Sequence, residues 1–209
     1  ITGANLKLLR QFKFNDTEII NSSLVFSTNN SNPATKAEFN TCNVTNSQIE
    51  FDRMATSSID VTIADSDIAM TGDDAESLIK INEKTKILVF RNNTVVNQST
   101  KPVFYLVDFS SANNCTVLLE NNDFSLTNSK YVFDGENITT GKLTYTGKGN
   151  TVIGAAEMLN PQYIGKEKFE ITERDAVTPS AITVVNTPPV VRIGKSMELT
   201  VNVKDKAGD

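Results

Sequence analysis

Asp73, Asp74 and Glu76 follow Gly72 in the stretch DSDIAMTGDDAE (65 to 76), and together they are the densest set of oxygen donors in the chain. Carboxylates on a loop suit ligation of a hard cation such as calcium. Their spacing departs from the calcium loop of an EF-hand. A solvated turn is therefore the expectation, with these three acids as the positions a cation would use. No other metal site, no catalytic residue and no cofactor is expected. The 209 residues include no histidine. That removes the commonest general base and the commonest neutral metal ligand, along with Ser-His and Cys-His nucleophile pairs.

The elements that must carry any site are strands. Asparagine makes up about one residue in nine, and Val, Ile, Thr and Phe crowd short apolar runs between polar corners. Long amphipathic helical patterns are missing, so the class is all-β. A net charge of −5 with scattered Lys and Arg offers no basic stripe for nucleic acid. No apolar run is long enough to insert this segment into a membrane, and no secretory leader is visible.

A ten-residue register recurs: apolar, any, apolar, any, Asn or Asp, Ser or Asn, any, apolar, any, apolar. TEIINSSLVF (17 to 26), CNVTNSQIEF (42 to 51), VTIADSDIAM (61 to 70), LVFRNNTVVN (88 to 97) and VLLENNDFSL (117 to 126) follow it. LTYTGKGNTV (143 to 152) is a degraded copy, and the starts lie 25, 19, 27, 29 and 26 residues apart. Periods in the twenties indicate a solenoid. Neither a leucine-rich frame nor a helical period is present, which leaves a right-handed parallel β-helix with loops of variable length leaving the coil.

In that register Ile19, Val44, Ile63, Phe90, Leu119 and Tyr145 form one inward ladder, and Leu24, Ile49, Ile68, Val95 and Phe124 a second. Asn21, Asn46, Asp65, Asn92 and Asn121 form a corner ladder, with amides that tolerate a left-handed bend and bond along the stack. Outward columns show no adjacent carboxylates. Asp67 and Asp123 stand two coils apart, roughly 9–10 Å, and Arg91 beside Glu120 reads as a surface ion pair. Cys42 and Cys115 lie about three coils apart, near 14 Å along the stack, beyond the reach of a disulfide. Two free thiols are expected, with Cys42 in an inward slot.

Eight Asn-X-Ser/Thr sequons begin at Asn15, Asn21, Asn29, Asn43, Asn92, Asn97, Asn114 and Asn137. Asn21 and Asn92 fall in the corner ladder, where an inward amide accepts no glycan. Asn29, Asn97 and Asn114 read as loop positions and are the expected sites of glycosylation.

After Pro179 the corners vanish, and SMELTVNVKD alternates apolar and polar residues as an antiparallel strand does. The organisation expected is a parallel β-helix over 1–154, a cap or connector over 155–178 and the start of an immunoglobulin-like β-sandwich over 179–209. The recurring corner and VRIGKSMELTVNVKDKAGD together resemble large adhesin-like surface proteins of methane-producing archaea and some bacteria. In these a pectate-lyase-like parallel β-helix precedes bacterial immunoglobulin-like repeats. The resemblance spans nearly the whole chain through loose motifs. It implies an extracellular, cell-surface, non-catalytic segment that contacts a glycan or protein of another cell. Tyr105, Phe109 and Tyr131 would be its sugar-stacking platforms unless they pack in the core. A polysaccharide lyase or glycoside hydrolase of β-helix type is the alternative, and a trimeric phage tail spike is a third reading.

Overall fold

A computed structural model of the chain describes residues 1–9, 11–27, 35–51, 59–82, 84–107, 114–136, 141–154, 156–161, 169–175, 181–184 and 201–204. They divide into two units, Ile1–Arg174 and Asp175–Asp209.

Unit one is a parallel β-solenoid of three sheets. The first holds Asn5–Leu9, Ser23–Ser27, Gln48–Phe51, Ile79–Ile81, Phe104–Val107, Tyr131–Glu136 and Glu157–Leu159. The second holds Phe12–Asn15, Thr35–Asn40, Ile59–Ala64, Thr85–Arg91, Asn114–Glu120, Gly141–Lys148 and Phe169–Asp175. The third holds Glu18–Ile20, Asn43–Thr45, Asp67–Met70, Thr94–Asn97, Asp123–Leu126 and Thr151–Ile153. Successive strands visit the three sheets in turn, so each circuit lays one strand on each face. The first and second sheets run on past 154, where Glu157–Leu159 pairs parallel with Tyr131–Glu136. In unit two Ala181–Val184 pairs antiparallel with Val201–Lys204. The remainder of 179–209 lies outside the described residues.

Alternation along each short strand sends every second side chain inward. The ladders found are Ile19–Val44–Ile68–Val95–Phe124–Val152 on the third sheet and Phe14–Phe39–Ile63–Phe90–Leu119 on the second. Leu24–Ile49–Ile79–Phe104–Phe133–Leu159 runs up the first. The two inward ladders expected from the register thus each mix two sheets, and Tyr145 stands over Val117 rather than Leu119. Aromatic rings tie the three walls together: Phe90 meets Phe104 edge-on at 5.2 Å and Phe124 in a stack at 6.0 Å, and Phe104 stacks on Phe133 at 4.6 Å. All four are buried, each contributing roughly 1.5–3 kcal/mol through burial.

The single corner ladder is corrected in the same way. Asn21 and Asn46 turn the chain from the third sheet to the first, whereas Asp65, Asn92 and Asn121 turn it from the second to the third. The latter column is Asp16, Thr41, Asp65, Asn92, Asn121 and Gly149, every member with φ between 48° and 66°. Asn and Asp bear this left-handed backbone with little penalty and Gly with none. Each of the first five donates its N–H to the carbonyl before the next corner, as Asn92 does to Glu120 at 2.8 Å. Asn92 Nδ2 reaches Asp65 Oδ1 at 2.9 Å and Asn121 Nδ2 reaches Asn92 Oδ1 at 3.4 Å, so side-chain bonding along this shorter stack is real.

The stronger ladder belongs to the next residue. Cys42, Ser66, Asn93 and Asn122 are buried at the second position of the corner. Ser66 N donates to Asn93 Oδ1, Asn93 N to Asn122 Oδ1 and Asn122 N to Asn150 Oδ1, all at 3.0–3.1 Å. Asn122 Nδ2 also donates to Phe90 O and Asn150 Oδ1, each at 2.8 Å. These amides satisfy backbone groups that two-residue turns would otherwise bury unpaired.

Replacing Asn122 by Leu strands the Asn93 N–H and the Phe90 carbonyl, and is expected to cost about 2–4 kcal/mol. Thr41 is the one β-branched residue in the left-handed column, with φ 55°. Thr41→Asn is expected to stabilise by about 1 kcal/mol. Denaturant midpoints at unchanged slope measure both.

Candidate functional site

The strands Thr35–Asn40, Ile59–Ala64 and Thr85–Arg91 stand side by side on the outer face of the second sheet. Direct pairing sets Lys36 against Asp60 and Asp60 against Ile87, and it sets Glu38 against Thr62 and Thr62 against Val89. Ala37 and Val61 point inward from the same strands and are buried. The outward side chains line a groove of about 140 Å³. That is below the roughly 300–1,000 Å³ of sites that enclose a small molecule. The groove suits a chain lying across the coils rather than a ligand held inside.

Its electrostatics are mixed. Lys13, one coil before Glu38, approaches its carboxylate at 3.7 Å, and both side chains are about half exposed. An exposed pair of this kind contributes well under 1 kcal/mol, leaving the carboxylate free to exchange partners. A bulge between Thr85 and Ile87 leaves Lys86 outside the ladder and exposed beside the groove. Glu38 and Asp60 occupy diagonal positions on neighbouring coils, roughly 8 Å apart at Cα by strand spacing. Two carboxylates, a lysine and a threonine can bind hydroxyl-rich or amino-bearing ligands by hydrogen bonds, or share protons with them.

The sequence register hides this pair, because it places Asn43 rather than Glu38 beside Thr62. Among the described residues the absence of adjacent carboxylates holds within single columns and fails on the diagonal. A period-two reading of TKAEFN against IDVTIA, aligned on Phe39 and Ile63, is the signal that finds it.

The other expected positions are distributed as follows. Asp73, Asp74 and Glu76 are exposed. Asp73 Oδ1 accepts from Asn128 Nδ2 at 2.9 Å, and its carbonyl accepts from Thr100 N at 3.3 Å. Among the described residues no three acids or thiols converge as a metal centre. Asp67 and Asp123 flank Thr94 in one outward column, two coils apart as expected. Tyr105 and Tyr131 are half-buried, and Phe109 lies outside the described residues. Among the described residues no helix is long and apolar enough to cross a membrane, which says nothing of a β-barrel.

Asn97 is corrected as a glycan position: it is wholly buried, with Nδ2 donating to Lys101 O and Oδ1 accepting from Ser99 N, both at 2.8 Å. Its amide braces the turn to the next first-sheet strand. Asn29 and the side chain of Asn114 lie outside the described residues. Asn21 and Asn92 prove exposed rather than inward, because the second corner residue is the one that turns in.

Comparison of this chain with protein-family models, with curated proteins and with solved structures finds no match.

Cys42 and Cys115 are both free and both buried, as the coil spacing requires. Burial pushes the Cys115 thiol up from 9.0 to about 12. Between those values the unfolded chain has released the proton while the folded chain keeps it, so a rising pH favours unfolding there and leaves stability untouched below 9. Wild-type stability is expected to fall more steeply than that of Cys115→Ala between pH 9 and 12, as read from denaturant midpoints. A thiol reagent at pH 8 should label Cys115 only after unfolding.

Proposed function

We propose that this chain is a non-catalytic segment of a large extracellular, cell-surface adhesin-like protein. It acts as a stiff rod that holds an outer face against a glycan or protein of another cell. The observation that carries this reading is the shallow groove of Lys36, Glu38, Asp60 and Thr62 on an unbroken parallel stack. Mixed charge and hydroxyl groups at strand spacing suit repeated hydrogen bonds to an extended saccharide, and too little volume is enclosed to surround a reacting ring. The antiparallel pair Ala181–Val184 and Val201–Lys204 supports the beginning of an immunoglobulin-like module in unit two. Such a module would carry the rod on a string of further domains.

A polysaccharide-cleaving enzyme is the second reading, favoured by Glu38 and Asp60 facing one groove from neighbouring coils. Hydrolysis with inversion uses carboxyl groups about 6.5–9.5 Å apart, a span their diagonal placement allows.

Purified chain passed over immobilised polygalacturonate, xylan, mannan and chitosan is expected to be retained on at least one, without release of reducing ends. Lys36→Ala with Asp60→Asn should weaken that retention about tenfold, or about 1.4 kcal/mol. Reducing ends that appear with wild type and vanish with Glu38→Gln would transfer the assignment to the enzyme. Failure to bind any of the four sinks the saccharide contact.

A further inference from the structure

The exposed sequons of the first coils are the remaining chemistry. Asn21 and Asn43 are exposed. Asn21 lies at the turn from the third sheet to the first, and Asn43 opens the next strand of the third sheet. Among the described residues neither side-chain amide has a hydrogen-bond partner. The hydroxyl-bearing members of their sequons, Ser23 and Thr45, are half-buried rather than enclosed. Register sets Asn43 beside Glu18 and Thr45 beside Ile20, which precedes Asn21. Asn21 and Asn43 therefore lie at opposite ends of the third-sheet face, about 11 Å apart at Cα by strand spacing.

Other sequons differ in kind. Asn97 is wholly buried and its amide is engaged at both ends. Asn92 is exposed but sits between Asp65 and Asn121 in the corner stack, donating to one and accepting from the other. Asn15 Oδ1 accepts from Asn40 Nδ2 at 3.3 Å. A glycan at Asn97 is incompatible with the folded coil, and one at Asn92 gives up a stacking bond. Asn21 and Asn43 give up nothing.

We infer that Asn21 and Asn43 are N-glycosylation sites, and that their glycans flank the third-sheet face while the second-sheet groove stays bare. The donor is an oligosaccharide linked to a lipid through a phosphate group. Nδ2 bonds to the anomeric carbon, the carbon–oxygen bond to phosphate breaks, the lipid phosphate leaves with the electron pair, and the amide loses a proton to the transferase. The inference rests on the extracellular reading, because an exported chain is the one that meets this donor.

The test is expression of the full chain behind a secretory signal in insect cells. Site occupancy is then read by mass spectrometry of peptides, with and without peptide N-glycosidase, on both the secreted and the retained pools. Glycan is expected on Asn21 and Asn43 and not on Asn97 in the secreted pool, and Asn21→Gln and Asn43→Gln should each remove one glycan mass while secretion persists. An empty Asn21 or Asn43, occupancy confined to the retained pool, or a glycan on secreted Asn97 overturns the inference. Surface proteolysis of the protein in its own cells tests export separately. A protected, unexported native chain whose sites are filled in insect cells sinks the extracellular reading and leaves acceptor competence standing.

Discussion

Every described circuit turns from the second sheet to the third in two residues, and the remaining structure hangs on that turn. The pairs are Asp16–Thr17, Thr41–Cys42, Asp65–Ser66, Asn92–Asn93, Asn121–Asn122 and Gly149–Asn150. A bend so short leaves backbone groups facing the core, where water cannot reach them. The first residue answers by taking the left-handed conformation and pointing outward. The second points inward, and in the later coils its amide binds the backbone of the coils above and below. The Asn-Asn dipeptide therefore divides one task between two identical side chains. Because the corner never changes length, the second and third sheets stay in step from coil to coil. Variation is confined to the other connections, such as 28–34, 52–58 and 82–84 between the first and second sheets. This accounts for intervals of 25, 24, 27, 29 and 28 residues between successive corners of this column, whereas the 19-residue interval in the register marks the switch from one kind of corner to the other.

Much of the architecture was legible because the corner is a local device with a local signature. Left-handed backbone, a small polar residue after it and alternating apolar neighbours can all be read within ten residues. What could not be read was which of two corners each copy represented. Residues 17–26 and 42–51 span the turn into the first sheet, whereas 61–70, 88–97 and 117–126 span the turn into the third. In the first two coils the corners lie only five residues apart, at Asp16 and Asn21 and again at Thr41 and Asn46. Both turns need the same backbone and the same inward polar group, supplied by Ser22 and Ser47 at one and by Ser66 and Asn93 at the other. Local chemistry is degenerate between them. Only hydrogen bonding to the next coil, some 25 residues away, distinguishes them, as when Ser22 N finds Ser47 Oγ of the next corner at 3.0 Å.

The candidate groove was lost to the same slip. Its residues are ordinary outward positions of second-sheet strands, and they become a constellation only when Thr35–Asn40 is laid against Ile59–Ala64. The thiol inference survived because it needs only the number of coils between Cys42 and Cys115, which a one-corner error does not change. Conclusions about height along the stack are robust to that error; conclusions about azimuth are not. Asn97 illustrates the second kind. A polar residue after a strand reads as a loop position, yet here its amide is the buried brace for the chain's return to the first sheet.

Stacking like positions directly above one another would multiply any charge placed there, and the outer columns answer this problem in a consistent way. Along the third sheet Glu18, Asp67 and Asp123 alternate with Asn43, Thr94 and Thr151. At the neighbouring corner Thr41 separates Asp16 from Asp65. Acids are thereby held roughly 9–10 Å apart, about one Debye length at physiological salt, where repulsion is largely screened. Where charges are directly paired on adjacent coils among the described residues, their signs oppose: Lys13 with Glu38, Lys36 with Asp60, Glu50 with Lys80, and Glu120 between Arg91 and Lys148. Among the described residues the outer columns therefore stack without like charges at directly paired positions. In the acid-rich turn at 73–76, Asp73 is held through its carbonyl by Ser99 and Thr100 and through its carboxylate by Asn128. Charge on this rod is thus set by the demands of stacking over most of its surface. The groove is distinctive because there two carboxylates from different columns, Glu38 and Asp60, meet on a diagonal, beside a bulge that stacking alone does not require.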